Sequence, residues 1–263
     1  MAEETTEPAS LFDEVAVLYD RVRPSYPEPI FDALLTECGS PRPDVVEIGP
    51  GTGKATAALL ERGARVLGVE PGPQLSAFLR EKFAGRQLTV LTATFEEAQL
   101  PSANCDIVLA ATSFHWVRED VRLRKAHAIL RPGGLVAVIN TVQIPSDVDR
   151  GYFARSQAIY ERYFPDEAET PLPGDDATPD EFAQIAASDL FAEPLLQRYR
   201  WDQRYPTADY ADLVRSYSVS ARMHPEARES LIAELSALIN AEFDGYVVRP
   251  LVITLVTARA ITG

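Results

Sequence analysis

Short apolar runs alternate along the chain with longer stretches whose apolar residues recur at helical spacing. Val45-Val46-Glu47-Ile48, then 65–70 (RVLGVE), 88–92, 106–110 (DIVLA) and 135–139 (LVAVI) read as strands. Between them, 54–62 carry Ala57, Ala58, Leu59 and Leu60 and stop at Gly63. Residues 74–83 put Leu75, Phe78 and Leu79 on one face, and 121–130 form a helix ended by Pro132-Gly133-Gly134. Strands that are apolar throughout, rather than alternating, belong to a parallel sheet covered on both faces. The pattern therefore predicts an α/β fold with a doubly wound, mostly parallel sheet. No repeat of 20–50 residues is present.

The flanks differ. Residues 1–10 read as a disordered tail, and 11–19 place Leu11, Val15 and Leu18 on one helical face. Ile30, Leu34 and Leu35 fit a short helix ended by Gly39-Ser40-Pro41. After Asn140 comes an aromatic segment (Tyr152, Phe153, Tyr160, Tyr163, Phe164), then a loop at 165–179 rich in proline and acids. Residues 196–205 alternate as a half-exposed strand, with Tyr199, Trp201 and Tyr205 on one side. Helices near 209–221 and 226–241 follow, and an apolar strand at 251–258 closes the chain, with Pro250 tolerated at its start.

Charge narrows the range of partners. Lys and Arg number 25 against 39 Asp and Glu, a net charge of −14. That balance disfavours non-specific nucleic acid and anionic membranes. Cys38 and Cys105 match no metal or redox spacing, and no cluster offers metal ligands. The acidic start lacks a basic patch followed by an apolar run, and 251–258 is far short of the ~20 residues of a membrane span. The expectation is a soluble cytoplasmic protein.

The sharpest feature is Glu47-Ile48-Gly49-Pro50-Gly51-Thr52-Gly53-Lys54, a strand end, alternate glycines and a helix start. A chain that turns from strand to helix against a ligand needs positions without Cβ. A phosphate-binding P-loop fails because Ile48 stands where its first glycine belongs and Ala55 where Ser or Thr should be. A dinucleotide fingerprint fails because its third glycine would fall at Lys54 or Thr56. Glu70 ends the second strand about twenty residues after Gly49, where an acid can accept from both hydroxyls of a ribose.

Here the chain resembles a family. Glu47 to Gly53 is similar to motif I of class I S-adenosylmethionine-dependent methyltransferases, and Gly68-Val69-Glu70-Pro71 to their acidic ribose motif. Thr94-Phe95-Glu96-Glu97 with Leu100-Pro101 resembles the adenine loop. Asp106-Ile107-Val108, Ser113-Phe114-His115-Trp116-Val117 and Leu130-Arg131-Pro132-Gly133-Gly134 resemble the later motifs, in the family's order. The resemblance covers roughly 11–140, and its Phe-His-Trp-Val form is closest to trans-aconitate-type and related small-molecule methyltransferases.

The resemblance implies a Rossmann-like class I methyltransferase fold, as one domain over 11–263. Residues 11–140 would be the cofactor-binding core, 141–245 a helical lid with substrate elements, and 246–263 the last strand. It implies S-adenosylmethionine as cofactor, with Gly49, Gly51 and Gly53 beside its methionine and ribose. Glu47 would hold the amino group, Glu70 the ribose hydroxyls and Pro71 the adenine edge. Thr94 and the Phe95 N–H would meet the adenine, where many relatives have Asp in place of Thr94. Ala111 and Ser113 would lie under the sulfonium, and Tyr19 and Arg23 would close over the cofactor, Arg23 on the methionine carboxylate.

His115, at the carboxyl edge of the sheet, is the candidate general base for a small-molecule acceptor methylated at oxygen. His127 reads as a packing residue on its helix and His224 as a helix start. Tyr152, Phe153, Tyr160, Tyr217 and Met223 are candidate walls of an apolar acceptor pocket, and Arg118, Arg155 and Arg222 candidate partners of an acidic substrate. Two alternatives stay open: a non-catalytic S-adenosylmethionine or nucleotide binder with a partner-binding lid, and a nicotinamide-dependent oxidoreductase. The oxidoreductase reading lacks a Tyr-x-x-x-Lys pair.

Overall fold

The computed structural model describes residues 20–165 and 172–261. The tail at 1–10, the helix expected at 11–19 and, with it, Tyr19 lie outside the described residues. Seven strands form one sheet: β1 (Asp44–Ile48), β2 (Arg65–Glu70), β3 (Leu88–Thr92), β4 (Cys105–Ala111), β5 (Leu130–Gln143), β6 (Leu195–Pro206) and β7 (Tyr246–Arg259). Their order is β3-β2-β1-β4-β5-β7-β6. β1 pairs in parallel with β2 and β4, β2 with β3, and β4 with β5. Ile144 N donates to Pro250 O and Ala260 N to Gly134 O, both 3.0 Å or shorter. Rising numbers thus meet falling ones, so β7 runs antiparallel to β5. The mostly parallel, doubly wound expectation holds.

The helices are α1 (Glu28–Cys38), α2 (Lys54–Glu61), α3 (Pro73–Lys82), α4 (Glu119–Ile129), α5 (Tyr152–Tyr163), α6 (Asp180–Ala186), α7 (Thr207–Arg215), α8 (Ser218–Ala221) and α9 (Pro225–Glu242). The described residues fall into two compact units, one from 25–141, 178–199 and 253–261, the other from 20–24, 142–165, 172–177 and 200–252.

In the first unit, successive strand residues point to opposite faces of the sheet. Val46, Ile48, Val108, Ala110, Val136 and Val138 face one core with Ala126 and Ile129 of α4 and Ile185 of α6. Val45, Ile107, Leu109, Leu135, Ala137 and Ile139 face the other, with Ile30, Phe31 and Leu34 of α1, Leu59 of α2 and Leu79 of α3. Burial of both faces explains why these strands are apolar throughout. In the second unit, α9 presents Leu231, Leu235 and Ile239 at four-residue spacing to Tyr152, Tyr210, Leu213 and Phe243. Tyr152 meets Phe153, Tyr210 and Phe243 edge-on at ring-centroid distances of 5.2, 5.4 and 5.3 Å.

Three local expectations are corrected. β5 begins at Leu130, so Pro132-Gly133-Gly134 lies inside the strand instead of separating helix from strand. Cys105 pairs with Leu130 and Ile107 with Leu135, so the extra residues form a bulge that accommodates the proline and glycines. The single helix expected near 209–221 is broken after Arg215, where the Ser216 hydroxyl donates to Leu213 O at 2.7 Å. On β6 Tyr205 is buried, but Trp201 is exposed.

Candidate functional site

β1 ends at Ile48, and the chain turns through Gly49, Gly51 and Gly53 into α2. Gly49 N donates to Val69 O at 2.9 Å, pinning the turn to β2. The glycines have different reasons. A Cβ on Gly49 would lie 2.9 Å from Ser113 Cβ. One on Gly53 would lie 2.5 Å from Phe83 Cε2 and 2.8 Å from Leu79 Cδ2, so this glycine lets α3 pack against the turn. Gly51 has φ +58°, and a Cβ there would meet nothing within 4 Å. Its missing side chain leaves open space at the carboxyl edge of the sheet, where α/β proteins bind ligands.

Glu70, at the end of β2, is buried. Its Oε2 accepts from Gly51 N at 2.9 Å and its Oε1 from Gly72 N at 3.0 Å. One carboxylate therefore ties the glycine turn to the turn that follows β2, in which Pro71 sits half-buried. Glu47 is deeper, 1% exposed, and its Oε2 accepts from Thr56 Oγ1 at 2.6 Å. Burial pushes the Glu47 carboxyl up to about 7, against the Thr56 hydrogen bond and with help from the charge of Glu70.

The exit of β4 brings Ala111 and Ser113 to the same edge, and the Ser113 hydroxyl donates to Ile48 O. Between them Thr112 has φ +55°, rare for a β-branched residue and a mark of local strain. The conformation is held by Thr112 N donating to Ile139 O at 2.7 Å and by the Tyr26 hydroxyl 3.1 Å from Thr112 Oγ1. Neither Tyr26 nor Thr112 was singled out by the sequence, because their pairing depends on residues far apart in the chain.

After β3, Thr94 closes its own turn: its Oγ1 donates to Glu97 Oε2 at 2.9 Å and accepts from Glu97 N at 3.3 Å. Phe95 is buried beneath Lys125, whose Nζ lies 5.3 Å from the ring centroid and donates to Glu96 O and Ala98 O. This straps the loop to α4.

His115 lies in a 3-10 turn over Phe114–Trp116, exposed on one side and tilted against Trp116 with centroids 4.8 Å apart. Partial desolvation of the ring lowers its pKa from the ordinary 6.5; Glu181 opposes this and Arg122 adds to it. Glu181, Arg122 and Asn140 were not found from sequence, since α6 carries no pattern that marks it. Glu181 is buried, with its Oε2 accepting from Asn140 Nδ2 at 2.9 Å. Arg122 holds Gln184 of α6 and lies 5.0 Å from the Phe114 ring centroid.

Arg23 belongs to the second unit, where its Nη2 donates to Ser216 O at 3.1 Å and its guanidinium lies 4.6 Å from the Tyr217 ring centroid. His127 packs on Phe191 and its Nε2 lies 3.0 Å from Ile261 O, a structural role. His224 starts α9. Arg118 faces Asp120 and Arg155 faces Glu242, while Arg222 is exposed. Among the described residues no group of His, Cys, Asp or Glu is arranged to hold a metal ion, and no helix is long and apolar enough to cross a membrane.

Fold and site together define an α/β protein with an open glycine turn faced by a buried acidic strand end at the carboxyl edge of its sheet. Residues 46–138 match the family model of the methyltransferase domain. An uncharacterized methyltransferase of Mycobacterium tuberculosis strain H37Rv is 36% identical over 49% of this chain and 51% of its own length. One from Geobacillus kaustophilus is 32% identical over 50% of this chain and 65% of its own. The chain thus spans about half to two thirds of the length of these relatives. Among solved structures, a phosphoethanolamine N-methyltransferase of Haemonchus contortus, in complex with phosphomonomethylethanolamine and S-adenosylhomocysteine, superposes with a TM-score of 0.56 at 14% identity. That match covers 95% of this chain and 58% of the other. The YcgJ protein of Bacillus subtilis gives 0.55 at 12% identity over 90% of this chain and 100% of its own. At these identities the likeness is one of fold, the class I methyltransferase fold.

Proposed function

We propose that this protein is an S-adenosylmethionine-dependent methyltransferase acting on a small-molecule acceptor, at oxygen. The observation that carries the reading is the Gly51 cradle. A backbone position with open space in place of a side chain sits beside a buried glutamate, Glu70, that already holds the Gly51 N–H. This suits a ribose, whose hydroxyls donate to a fixed carboxylate. Neighbours whose names include methyltransferase, one with S-adenosylhomocysteine bound, support the choice of cofactor.

In this reading Gly49 and Gly51 line the methionine and ribose, and Glu47 takes the amino group. Pro71 borders the adenine and Phe95 offers its N–H, in a loop where Thr94 Oγ1 is held by Glu97. Ala111 and Ser113 form the floor. The cofactor, when bound, supplies an electrophilic methyl on a good leaving group, so the chain's task is alignment and exclusion of water. His115, with its pKa below 6.5, is neutral at pH 7 and fit to accept the proton of an acceptor hydroxyl.

The test is calorimetric titration with S-adenosylhomocysteine and with NAD, followed by an acceptor screen read by S-adenosylhomocysteine release. Binding of S-adenosylhomocysteine with turnover of a hydroxyl acceptor is expected. Binding without turnover of any acceptor would favour a non-catalytic binder, and heat from NAD alone would favour the oxidoreductase.

A further inference from the structure

Two rings at the exit of β4 are displayed to solvent on a turn that is otherwise anchored. Trp116 is 53% exposed, more than any other large apolar side chain among the described residues, and His115 beside it is exposed as well. The residues that flank this pair, Phe114 and Val117, are buried. The backbone is pinned on both sides: Trp116 N donates to Ser113 O at 3.1 Å, Val117 N to Phe114 O at 3.2 Å, and Arg118 N to Glu96 Oε1 at 2.8 Å. Ser113 in turn abuts the glycine turn, since a Cβ on Gly49 would lie 2.9 Å from its Cβ. An indole left in water on a fixed backbone forgoes the burial that such a ring ordinarily gains. What it offers instead is a flat π face already in place for a ligand.

The neighbouring ring sets what that face can hold. The His115 and Trp116 centroids are 4.8 Å apart, with 46° between the ring planes. A ring-sized ligand lying on the indole therefore has the imidazole within reach of a substituent on its rim. That imidazole is a weak base, because partial desolvation lowers its pKa below 6.5. An aliphatic hydroxyl holds its proton about as tightly as water does, with a pKa of about 16. A phenol releases its proton at about 10, as tyrosine does. The smaller gap is the one that a weak base can help to close. A quaternary cation would also suit an indole face, but it has no proton to give the imidazole.

We infer that Trp116 is the platform on which the acceptor's aromatic ring lies, and that the acceptor is a phenol whose hydroxyl meets His115. The transfer to that phenol rests on the methyltransferase reading above; the aromatic platform does not. In the transfer, the phenolic O–H bond breaks as the oxygen–methyl bond forms. The proton passes to His115 and then to solvent, and the electron pair of the old carbon–sulfur bond stays on sulfur.

The sequence has two tryptophans, so in Trp201→Phe the indole emission comes from Trp116 alone. This full-length protein is titrated with phenol, anisole, cyclohexanol and tetramethylammonium, with and without S-adenosylhomocysteine, and affinities are measured in parallel by ligand-observed NMR. Binding of S-adenosylhomocysteine is measured first by calorimetry. Failure of the cofactor reading is thus seen by itself, and titration of the free protein still decides the platform. Phenol is expected to bind at least tenfold tighter than cyclohexanol and to change the Trp116 emission. Trp116→Ala, with circular dichroism matching wild type, should lose at least fivefold in phenol affinity, and Trp116→Phe, which keeps a smaller ring, should fall between. His115→Ala should erase the preference for phenol over anisole. Equal affinity for phenol and cyclohexanol overturns the platform with Trp116 still in place, as does phenol binding that leaves the Trp116 emission unchanged or an unchanged phenol affinity in Trp116→Ala. A preference for phenol over anisole that survives His115→Ala overturns the pairing with His115. Tighter binding of tetramethylammonium overturns the choice of acceptor class, and no phenol binding in either state overturns the proposal.

Discussion

Replacing Gly51 with Ala separates a binding role from a packing role, because the neighbouring Gly53→Ala supplies the contrast. Both backbones are left-handed, with φ +58° at Gly51 and +82° at Gly53. A residue with a Cβ pays roughly 1–2 kcal/mol in that region. At Gly51 nothing is added to this, since the new methyl meets no atom within 4 Å. At Gly53 the methyl would overlap Phe83 and the fully buried Leu79, at 2.5 and 2.8 Å. Overpacking of this kind costs about 1–3 kcal/mol more. Urea unfolding without ligand should therefore rank wild type above Gly51→Ala above Gly53→Ala. S-adenosylhomocysteine titration should show the reverse emphasis. Gly51→Ala folds but loses at least tenfold in affinity, because its methyl occupies the ligand's space. Wild-type affinity in a folded Gly51→Ala would refute the cradle. A Gly51→Ala less stable than Gly53→Ala would refute the packing argument.

Three further outcomes follow from the site. Glu47 has a carboxyl raised from 4.5 to about 7, so it favours the folded state most below pH 4.5 and loses that contribution as pH rises through 7. This makes wild type less stable at pH 8 than at pH 5 by roughly 3 kcal/mol from this residue, and urea unfolding of Glu47→Gln should show that slope removed. Glu70→Gln places an amide NH2 against Gly51 N–H or Gly72 N–H; a loss of ~1–3 kcal/mol in unfolding and weaker S-adenosylhomocysteine binding are expected, and unchanged affinity would remove the ribose role. For His115→Ala, the fall in rate on the acid side of pH 6.5 should disappear; an unchanged pH–rate profile would argue against a base.

The parts legible in the sequence were those encoded locally. Apolar strands such as Leu135 to Ile139 and the Gly49–Gly53 turn carry their signal in adjacent residues, and so does the position of Glu70 at a strand end. What escaped was set by tertiary pairing. The strained Thr112 is defined by Ile139 and Tyr26, and Glu181 by Asn140. Helix α6 follows a proline- and acid-rich loop and is docked by Arg122. Among arginines, the sequence pointed to Arg118, Arg155 and Arg222 for an acidic substrate, and the first two already face the carboxylates of Asp120 and Glu242.

The two buried glutamates at the end of the sheet show how the same side chain is given different duties by its partners. Glu70 is clamped by two backbone N–H groups from two turns, neither of which can rotate away. Its position is fixed by the main chain, so anything that binds its oxygens is placed relative to Gly51 as well. Glu47 is held by Thr56, through its hydroxyl and its backbone N–H, in a fully buried setting that favours the neutral acid. A cation arriving beside Glu47 would restore its charge and expel a proton, whereas hydroxyls arriving at Glu70 need no such change. A ligand with an ammonium group and a diol would thus meet a rigid acceptor at one end and a responsive one at the other. Its affinity should rise with pH through the neutral range in wild type but not in Glu47→Gln. A nucleoside without the amino group should show no such rise with either protein, which isolates Glu47 as the group that senses the amino end.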